Sequence, residues 1–341
     1  MFPAKKPLTV VAFAALAGIV LTGCTTATDA TAPNSDTEAA TITLYTSEPQ
    51  EKIDEIISAF TEQQSNITVE VFRAGTGDLT ARIEAERAAG EIQADILLAA
   101  DAPTFEAYAA EDLLLEFESA EAANINQDVV DPEGFYVGTR IIPTVIAYNT
   151  GLVDAPPTSW QELANPEWAN KIVMPNPDVS GAAAFNATVW YNDDNLGKEW
   201  LKKLAANNPV IVDSNGPTSQ AIATGTQPVG AVVDYLAREL AAAGSPIAVS
   251  YPSDGVPYVS QPAGIFASTD EADAAKLFID FLLSAEGQQL AVAQSYLPVR
   301  NDVGTPEGAP PMDEIKIVTP DLDTISESRA EAVTYFNDLI G

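Results

Sequence analysis

The sequence predicts an α/β fold with room for two domains, and three observations lead there. Short apolar strand patterns alternate with helical ones along most of the 341 residues, which is how a parallel sheet covered by helices on both faces reads. A longer apolar β segment in mid-chain is interrupted by Pro143, as expected of a strand that leaves one sheet and enters another. Several strands end in turns of Ser, Asn, Gly and Pro that open helices, and open α/β sheets bind ligands beyond the carboxyl ends of their strands.

Taken in order, the chain begins with Lys5 and Lys6, an apolar run over 8–21, and Leu21-Thr22-Gly23-Cys24. A charged start and a short apolar segment with small residues at its end read as a secretory leader, too short for a comfortable membrane span. Leu-Thr-Gly-Cys at that place resembles the bacterial lipobox, which implies that residues 1–23 are removed and that Cys24 is acylated. Residues 24–40 are rich in Thr, Ala, Ser, Asp and Pro and cannot bury enough apolar surface to fold, so they read as a flexible tether. Cys24 is the one cysteine in the chain, so neither disulfides nor thiolate metal sites are expected.

Alternation over 41–45 predicts the first strand, and Ile53, Ile56, Ile57 and Phe60 line one face of a helix over 50–64. A second strand over 67–72 runs into Arg73-Ala74-Gly75-Thr76-Gly77-Asp78, which opens a helix carrying Leu79 and Ile83. A third strand over 95–99 ends in Ala100-Asp101-Ala102-Pro103, and a helix follows over 104–110. The segment 138–149 is the interrupted strand. Residues 171–174 form another strand, and Ser180-Gly181 opens a helix through Trp190. Further helices are expected over 196–206, 270–283, 285–294 and 326–339, with strands over 247–251 and 258–266, the second of these a return crossing.

The stretch 209–239 concentrates the pattern. Val210 to Val212 read as a strand, Asp213 to Thr218 as a tight turn, and Pro217 suits the start of a helix. The next strand, 229–233, delivers Asp234 and Tyr235 at its tip. Free N–H groups at a helix start favour anions, although the same turn is also an ordinary solvated βαβ connection.

Composition excludes several functions. With 16 Lys and Arg against 49 Asp and Glu, the formal net charge is −33, which nucleic acid would repel. The acids are spread along the chain, as on a solvated surface. There is no histidine, hence no Ser-His-Asp or Cys-His nucleophile, no imidazole-bound zinc and no imidazole base. Carboxylate-pair chemistry stays open by counting alone.

Tyr45-Thr46-Ser47, Ala94-Asp95-Ile96, Thr144-Val145-Ile146-Ala147-Tyr148-Asn149, Ser159-Trp160-Gln161-Glu162-Leu163, Trp168-Ala169-Asn170-Lys171-Ile172, Ser180-Gly181-Ala182, Phe281-Leu282-Leu283-Ser284-Ala285-Glu286-Gly287-Gln288 and Leu297-Pro298-Val299-Arg300 occur in this order. Together they resemble the solute-binding proteins of ATP-driven bacterial importers. The branch they resemble contains ferric-ion-binding proteins and relatives that bind phosphonates and sugar phosphates. The resemblance implies the type II periplasmic-binding-protein fold: two Rossmann-like α/β lobes joined by two crossing strands, with a ligand cleft between them that closes by hinge motion. On that reading, lobe 1 comprises 41–140 and 262–304, lobe 2 comprises 141–261, and a tail over 305–341 packs back on lobe 2. The implied protein is a lipid-anchored extracytoplasmic monomer that binds a small solute, needs no cofactor, performs no catalysis, and hands its ligand to permease and ATPase subunits. The competing class is a secreted lipoprotein hydrolase on a similar fold.

Three turns are expected to converge on the cleft: Gly75-Thr76-Gly77, Ser180-Gly181-Ala182, and the turn with Asn215 and Thr218. Each is an ordinary helix cap when taken singly, and together they match the family's anion loops. Thr46 and Ser47 fall at the end of the first strand beside them. Arg140, on the first crossing, is either a ligand cation or half of a structural ion pair. The ferric branch brings two adjacent tyrosines, often with a His and an acid. Here Tyr235 matches the first, Leu236 stands at the second, Pro49 stands where the His would fall, and Asp101 is the acid nearby. A hard ion needs several anionic oxygens, and one phenol with scattered carboxylates is a poor cage. Asp101, Asp234 and Glu48 are then free to meet an ammonium group. A phosphonate carrying an amine, such as 2-aminoethylphosphonate, is the expected ligand, with ferric ion at Tyr235 and Asp101 as the alternative.

Overall fold

Two mixed β-sheets organise the protein, whose computed structural model describes residues 39–311, 314–318 and 320–340. The expected leader, Cys24 and nearly all of the expected tether lie outside the described residues. The chain enters as β1 (Ala40–Thr46), α1 (Gln50–Gln63), β2 (Ile67–Arg73), α2 (Thr76–Ala89), β3 (Ile96–Leu98), α3 (Ala102–Ala110) and β4 (Tyr136–Gly138). It then crosses to the second sheet as β5 (Ile142–Asn149), followed by α4 (Trp160–Leu163), β6 (Ile172–Pro175), α5 (Gly181–Asn192), α6 (Gly197–Ala206) and β7 (Val210–Val212). The second lobe is completed by α7 (Asn215–Ala223), β8 (Val229–Val233), α8 (Asp234–Ala242), β9 (Ile247–Ser250) and β10 (Val256–Val259). The return strand β11 (Pro262–Ile265) re-enters the first sheet, and α9 (Ala272–Leu283), α10 (Ala285–Ala293), β12 (Ile317–Val318) and α11 (Leu322–Ile340) finish the chain.

The first sheet has the order β2-β1-β3-β11-β4, and the second runs β12-β10-β5-β8-β6-β7 with β9 also paired to β5. Both are mixed, which corrects the expectation of a parallel sheet. The strands that cross between lobes run against their neighbours: β11 is antiparallel to β3 and β4, and β5 is antiparallel to β8, β9 and β10. The crossing itself also sits elsewhere. Pro143 lies inside β5 opposite Tyr258, and the sheet changes just before it, at residues 139–141, and again at 260–261 on the return.

Each lobe has its own core. The apolar face of α1 buries Ile53, Ile56 and Phe60 against the first sheet and α9, with Phe60 edge-on to Phe278 at 5.1 Å between ring centroids. Each such side chain is worth roughly 1.5–3 kcal/mol when fully buried. In the second lobe Trp160, Trp190 and Trp200 form a chain of rings at 5.0 and 5.5 Å. The C-terminal helix α11 packs along α5 and α6 but also against α3 of the first lobe, so the tail touches both lobes. Within the tail, β12 pairs in parallel with β10.

Candidate functional site

The carboxyl ends of β1, β2, β6, β7 and β8 face one another across the gap between the sheets, and their turns enclose a cavity of about 320 Å³. Three helix starts form its polar wall. Gly75 precedes α2, Ser180 precedes α5 and Ser214 precedes α7, and the first N–H groups of each helix have no intrahelical acceptor. Such groups, with the positive end of the helix dipole, favour an anion.

The second-lobe turns are locked together by one side chain. Asn215 Nδ2 donates to Ser180 Oγ at 3.0 Å, and Asn215 Oδ1 accepts from Val233 N at 3.1 Å. Ser180 Oγ also accepts from Ala183 N, so its own hydroxyl hydrogen is left to donate into the cavity. Across the gap, Gly77 N donates to Val179 O at 3.3 Å, which ties the first-lobe turn to the second lobe. The lobes touch where side chains are missing.

The cavity floor is built around Glu48, which is 1 % exposed. Its Oε1 accepts from Arg140 Nη1 at 3.1 Å and from the Tyr296 hydroxyl at 2.8 Å, and its Oε2 accepts from Gln261 Nε2 at 2.5 Å. Arg140 and Gln261 lie on the two crossings, so one buried carboxylate pins both connections. A pair of this kind survives burial only with its remaining hydrogen bonds satisfied. Tyr235, in the first turn of α8, packs against Tyr296, the rings tilted by 54° with 4.4 Å between centroids. Lys52 Nζ lies 4.7 and 4.5 Å from the two ring centres and pairs with Glu239 at 2.6 Å. Burial, with the charge of Glu48 adding, pushes both phenols well above the ordinary tyrosine range, so they are neutral hydrogen-bonding groups.

Arg73 completes the site. It lines the cavity at the end of β2, donates from Nε to Glu48 O at 3.2 Å, and has no carboxylate partner among the described residues. Nothing in the sequence separated it from other arginines, although it stands two residues before Gly75.

Of the residues expected at the ligand, the cavity brings together Ser47, Gly75, Thr76, Ser180, Gly181, Ala182, Asn215 and Tyr235. The others are placed elsewhere, each for a structural reason. Thr46 is fully buried and donates to Leu98 O. Gly77 is pressed against the backbone of Asp178. Asp101 is buried under Arg329 and Thr104, and its carboxyl is pushed up by burial and pulled back by Arg329. Arg140 is the structural half of the two readings, held by Glu48. Thr218 donates to Ser214 O, and Asp234 is occupied by Arg238 and the Tyr251 hydroxyl. Neither Asp101 nor Asp234 is free for an ammonium group, which corrects that expectation. Glu48, the third of the expected acids, does line the cavity, and Arg73, Gln261 and Tyr296 line it with it.

Residues 91–327 match the family model described as bacterial extracellular solute-binding protein. A Salmonella typhimurium protein provisionally named as a 2-aminoethylphosphonate-binding periplasmic protein is 27% identical over 259 residues, spanning 72% of this chain and 73% of its own. Among solved structures, the periplasmic binding protein AfuA from Actinobacillus pleuropneumoniae, with fructose-6-phosphate bound, superposes with a TM-score of 0.80 at 22% identity. It covers 88% of this chain and 98% of its own. Iron-bound HitA from Pseudomonas aeruginosa gives a TM-score of 0.77 at 23% identity, covering 88% and 99%. At these identities the structural likeness speaks for the fold.

Proposed function

Because the chain belongs to the bacterial extracellular solute-binding family, whose members capture solutes for ABC importers rather than transform them, we propose that its cavity holds a small phosphorus-containing organic anion. A phosphonate such as 2-aminoethylphosphonate, or a phosphate ester, closes the two lobes around itself and is released to the permease. We further assign the lipid anchor to Cys24, which would keep the protein beside that permease as a monomer. The observation that carries the reading is the charge balance of the cavity wall. Three helix starts and Arg73, which has no carboxylate partner among the described residues, face a space whose lining includes one carboxylate, Glu48, already balanced by Arg140. In a chain of net charge −33, a cavity so poor in acids selects for an anion. The names of the Salmonella relative and the ligand held by AfuA are consistent with a phosphorus group there.

The ferric alternative fits this wall less well. The phenol of Tyr235 has a second tyrosine beside it, but Lys52 lies against both rings and Arg140 against that of Tyr296, and a trivalent cation would meet both charges. Among the described residues no group of three or more His, Cys, Asp or Glu could hold a metal ion.

Thermal denaturation with 2-aminoethylphosphonate, glucose-6-phosphate, inorganic phosphate and ferric citrate tests the proposal. A ligand at a hundred times its Kd adds about 2.7 kcal/mol, which for a chain of this size raises Tm by several degrees. Stabilisation by the phosphonate or the phosphate ester is expected. Stabilisation by ferric citrate with none from the phosphorus anions would overturn the reading.

A further inference from the structure

We propose that Arg329, on the C-terminal helix, is a positioning residue for ligand capture: it latches the closed lobes by pairing with Asp101, a carboxylate that closure buries. Neither residue lines the ligand cavity.

Helix α11 rides on the second lobe. Phe336 sits in that lobe's core with Trp160, Trp190 and Trp200, and Tyr335 packs against Tyr191 with 5.6 Å between ring centroids. Asn192 Nδ2 donates to Ser328 Oγ at 2.7 Å, Lys198 Nζ to Glu331 Oε1 at 3.1 Å, and Asn337 Nδ2 to Asp178 Oδ1 at 2.9 Å. Toward the first lobe, the polar bonds of α11 among the described residues come from Arg329. Its Nη1 lies 2.5 Å from Asp101 Oδ2 and 3.2 Å from Thr104 Oγ1.

Asp101 follows β3 in the first lobe, caps the start of α3 and is fully buried. Its covers from across the gap belong to the second lobe. One is Arg329. The other is Gly181 at the start of α5, where a β-carbon would come within 2.9 Å of Asp101 Cβ. Parting the lobes withdraws both covers and returns the carboxylate to water. Closing them strips its hydration, a cost that one hydroxyl does not offset. Thr104 Oγ1 donates to Oδ2 at 2.5 Å, and Oδ1 has no hydrogen-bond partner among the described residues. The guanidinium of Arg329 supplies the missing charge, and it does so only while α11 lies against α3. The pair therefore belongs to the closed form, and it raises the share of molecules able to hold a ligand.

A double-mutant cycle tests this, read by calorimetry and stopped-flow release with 2-aminoethylphosphonate and with ferric citrate. Arg329→Met leaves Asp101 charged and unpaired in the closed form. Affinity should fall about tenfold or more, mostly through faster release. In the Asp101→Asn background the same R329M change should cost about threefold or less, because the amide has no charge to strand. Without ligand, each variant should melt close to the wild-type Tm, since the open form lacks the pair. A ligand-free Tm that drops sharply in R329M, or failure of that variant to fold, overturns the latch and makes Arg329 part of the fold itself. An equal loss of affinity in both backgrounds, or none in either, overturns it as well. The latch acts on closure whatever the ligand, so binding of ferric citrate alone overturns the phosphorus reading and leaves the cycle to decide the latch. Failure of both probes to bind the wild-type protein overturns both readings.

Discussion

Replacing Gly77 with alanine should weaken ligand binding without weakening the fold. Gly77 lies in the first turn of α2, in the first lobe. A β-carbon there would stand 1.9 Å from Asp178 O and 3.0 Å from Asp178 C, backbone atoms of the second lobe. Gly181 is its counterpart on the facing side, where a β-carbon would meet Ala100 O at 2.7 Å and Thr76 Oγ1 at 2.9 Å. These collisions are with the opposite lobe, so they penalise the closed arrangement selectively. Bringing 1.9 Å to the 3.0 Å floor of real β-carbon contacts requires the lobes to part by roughly 1.1 Å at this point. The bond from Gly77 N to Val179 O would stretch with them. Overpacking of this kind costs about 1–3 kcal/mol, which at about 1.4 kcal/mol per tenfold corresponds to about 5- to 150-fold weaker affinity. The open form carries no such penalty, and alanine for glycine in a helix adds up to about 1 kcal/mol of intrinsic stability. Calorimetric titration with the tightest phosphorus ligand gives Kd, thermal denaturation without ligand gives stability, and small-angle scattering reports closure. The expected outcome is a raised Kd, an unchanged or slightly higher Tm, and loss of ligand-induced compaction. Unchanged affinity and compaction would refute the reasoning. A Tm several degrees lower without ligand would do so too, because the strain would then lie within a lobe.

Two further outcomes follow from the site. Arg73→Ala removes a cavity cation whose one side-chain bond among the described residues is to Glu48 O. Losing a charge-assisted bond of about 1.5–3 kcal/mol should weaken a phosphonate about 10- to 150-fold with Tm nearly unchanged, and an unaltered Kd would remove Arg73 from the site. The second outcome concerns alkaline pH. Burial pushes Tyr45 up to about 12, and raises Tyr235 and Tyr296 further. The folded protein therefore keeps phenolic protons that the unfolded chain gives up above about pH 10. Stability present below that pH should fall as pH rises through it, read as the urea midpoint between pH 8 and 11 alongside phenolate absorbance. A midpoint that rises over that interval would contradict the burial of these rings.

Much of this arrangement was legible in the order of residue types. Strand and helix periods gave the alternation, and small residues with hydroxyls at Gly75, Ser180 and Asn215 gave three of the cavity's turns. What was not legible depends on distance in space. Pro143 drew attention to the right strand, but the change of sheet falls at 139–141 because β4 and β5 pair with different neighbours, a tertiary event without a local code. No property of glutamine announces the left-handed backbone at Gln261. The acids misled for a related reason. Arg238, four residues after Asp234, was a readable partner on a helix, whereas the partner of Asp101 is Arg329 from the far end of the chain. The strand expected over 229–233 is β8, and Asp234 and Tyr235 at its end begin α8.

The acidity of the chain and the anion proposed for its cavity are compatible because they act over different ranges. Exposed charges are screened beyond about 8–10 Å at physiological salt, so most of the −33 reaches the cavity weakly. At the cavity itself the acids are paired rather than screened. Glu48 is held by Arg140, Glu239 is held by Lys52, and Arg73 remains. Two further acids that the sequence places at strand ends are paired as well: Asp101 with Arg329, and Asp234 with Arg238. Each pairing occupies a basic residue, of which the chain has 16 Lys and Arg in all. Spending four of these beneath and beside the cleft, on Glu48, Asp101, Asp234 and Glu239, leaves the helix starts and Arg73 to set the local potential. The surface charge therefore opposes the approach of an anion, while the paired interior is what would allow the proposed ligand to be held.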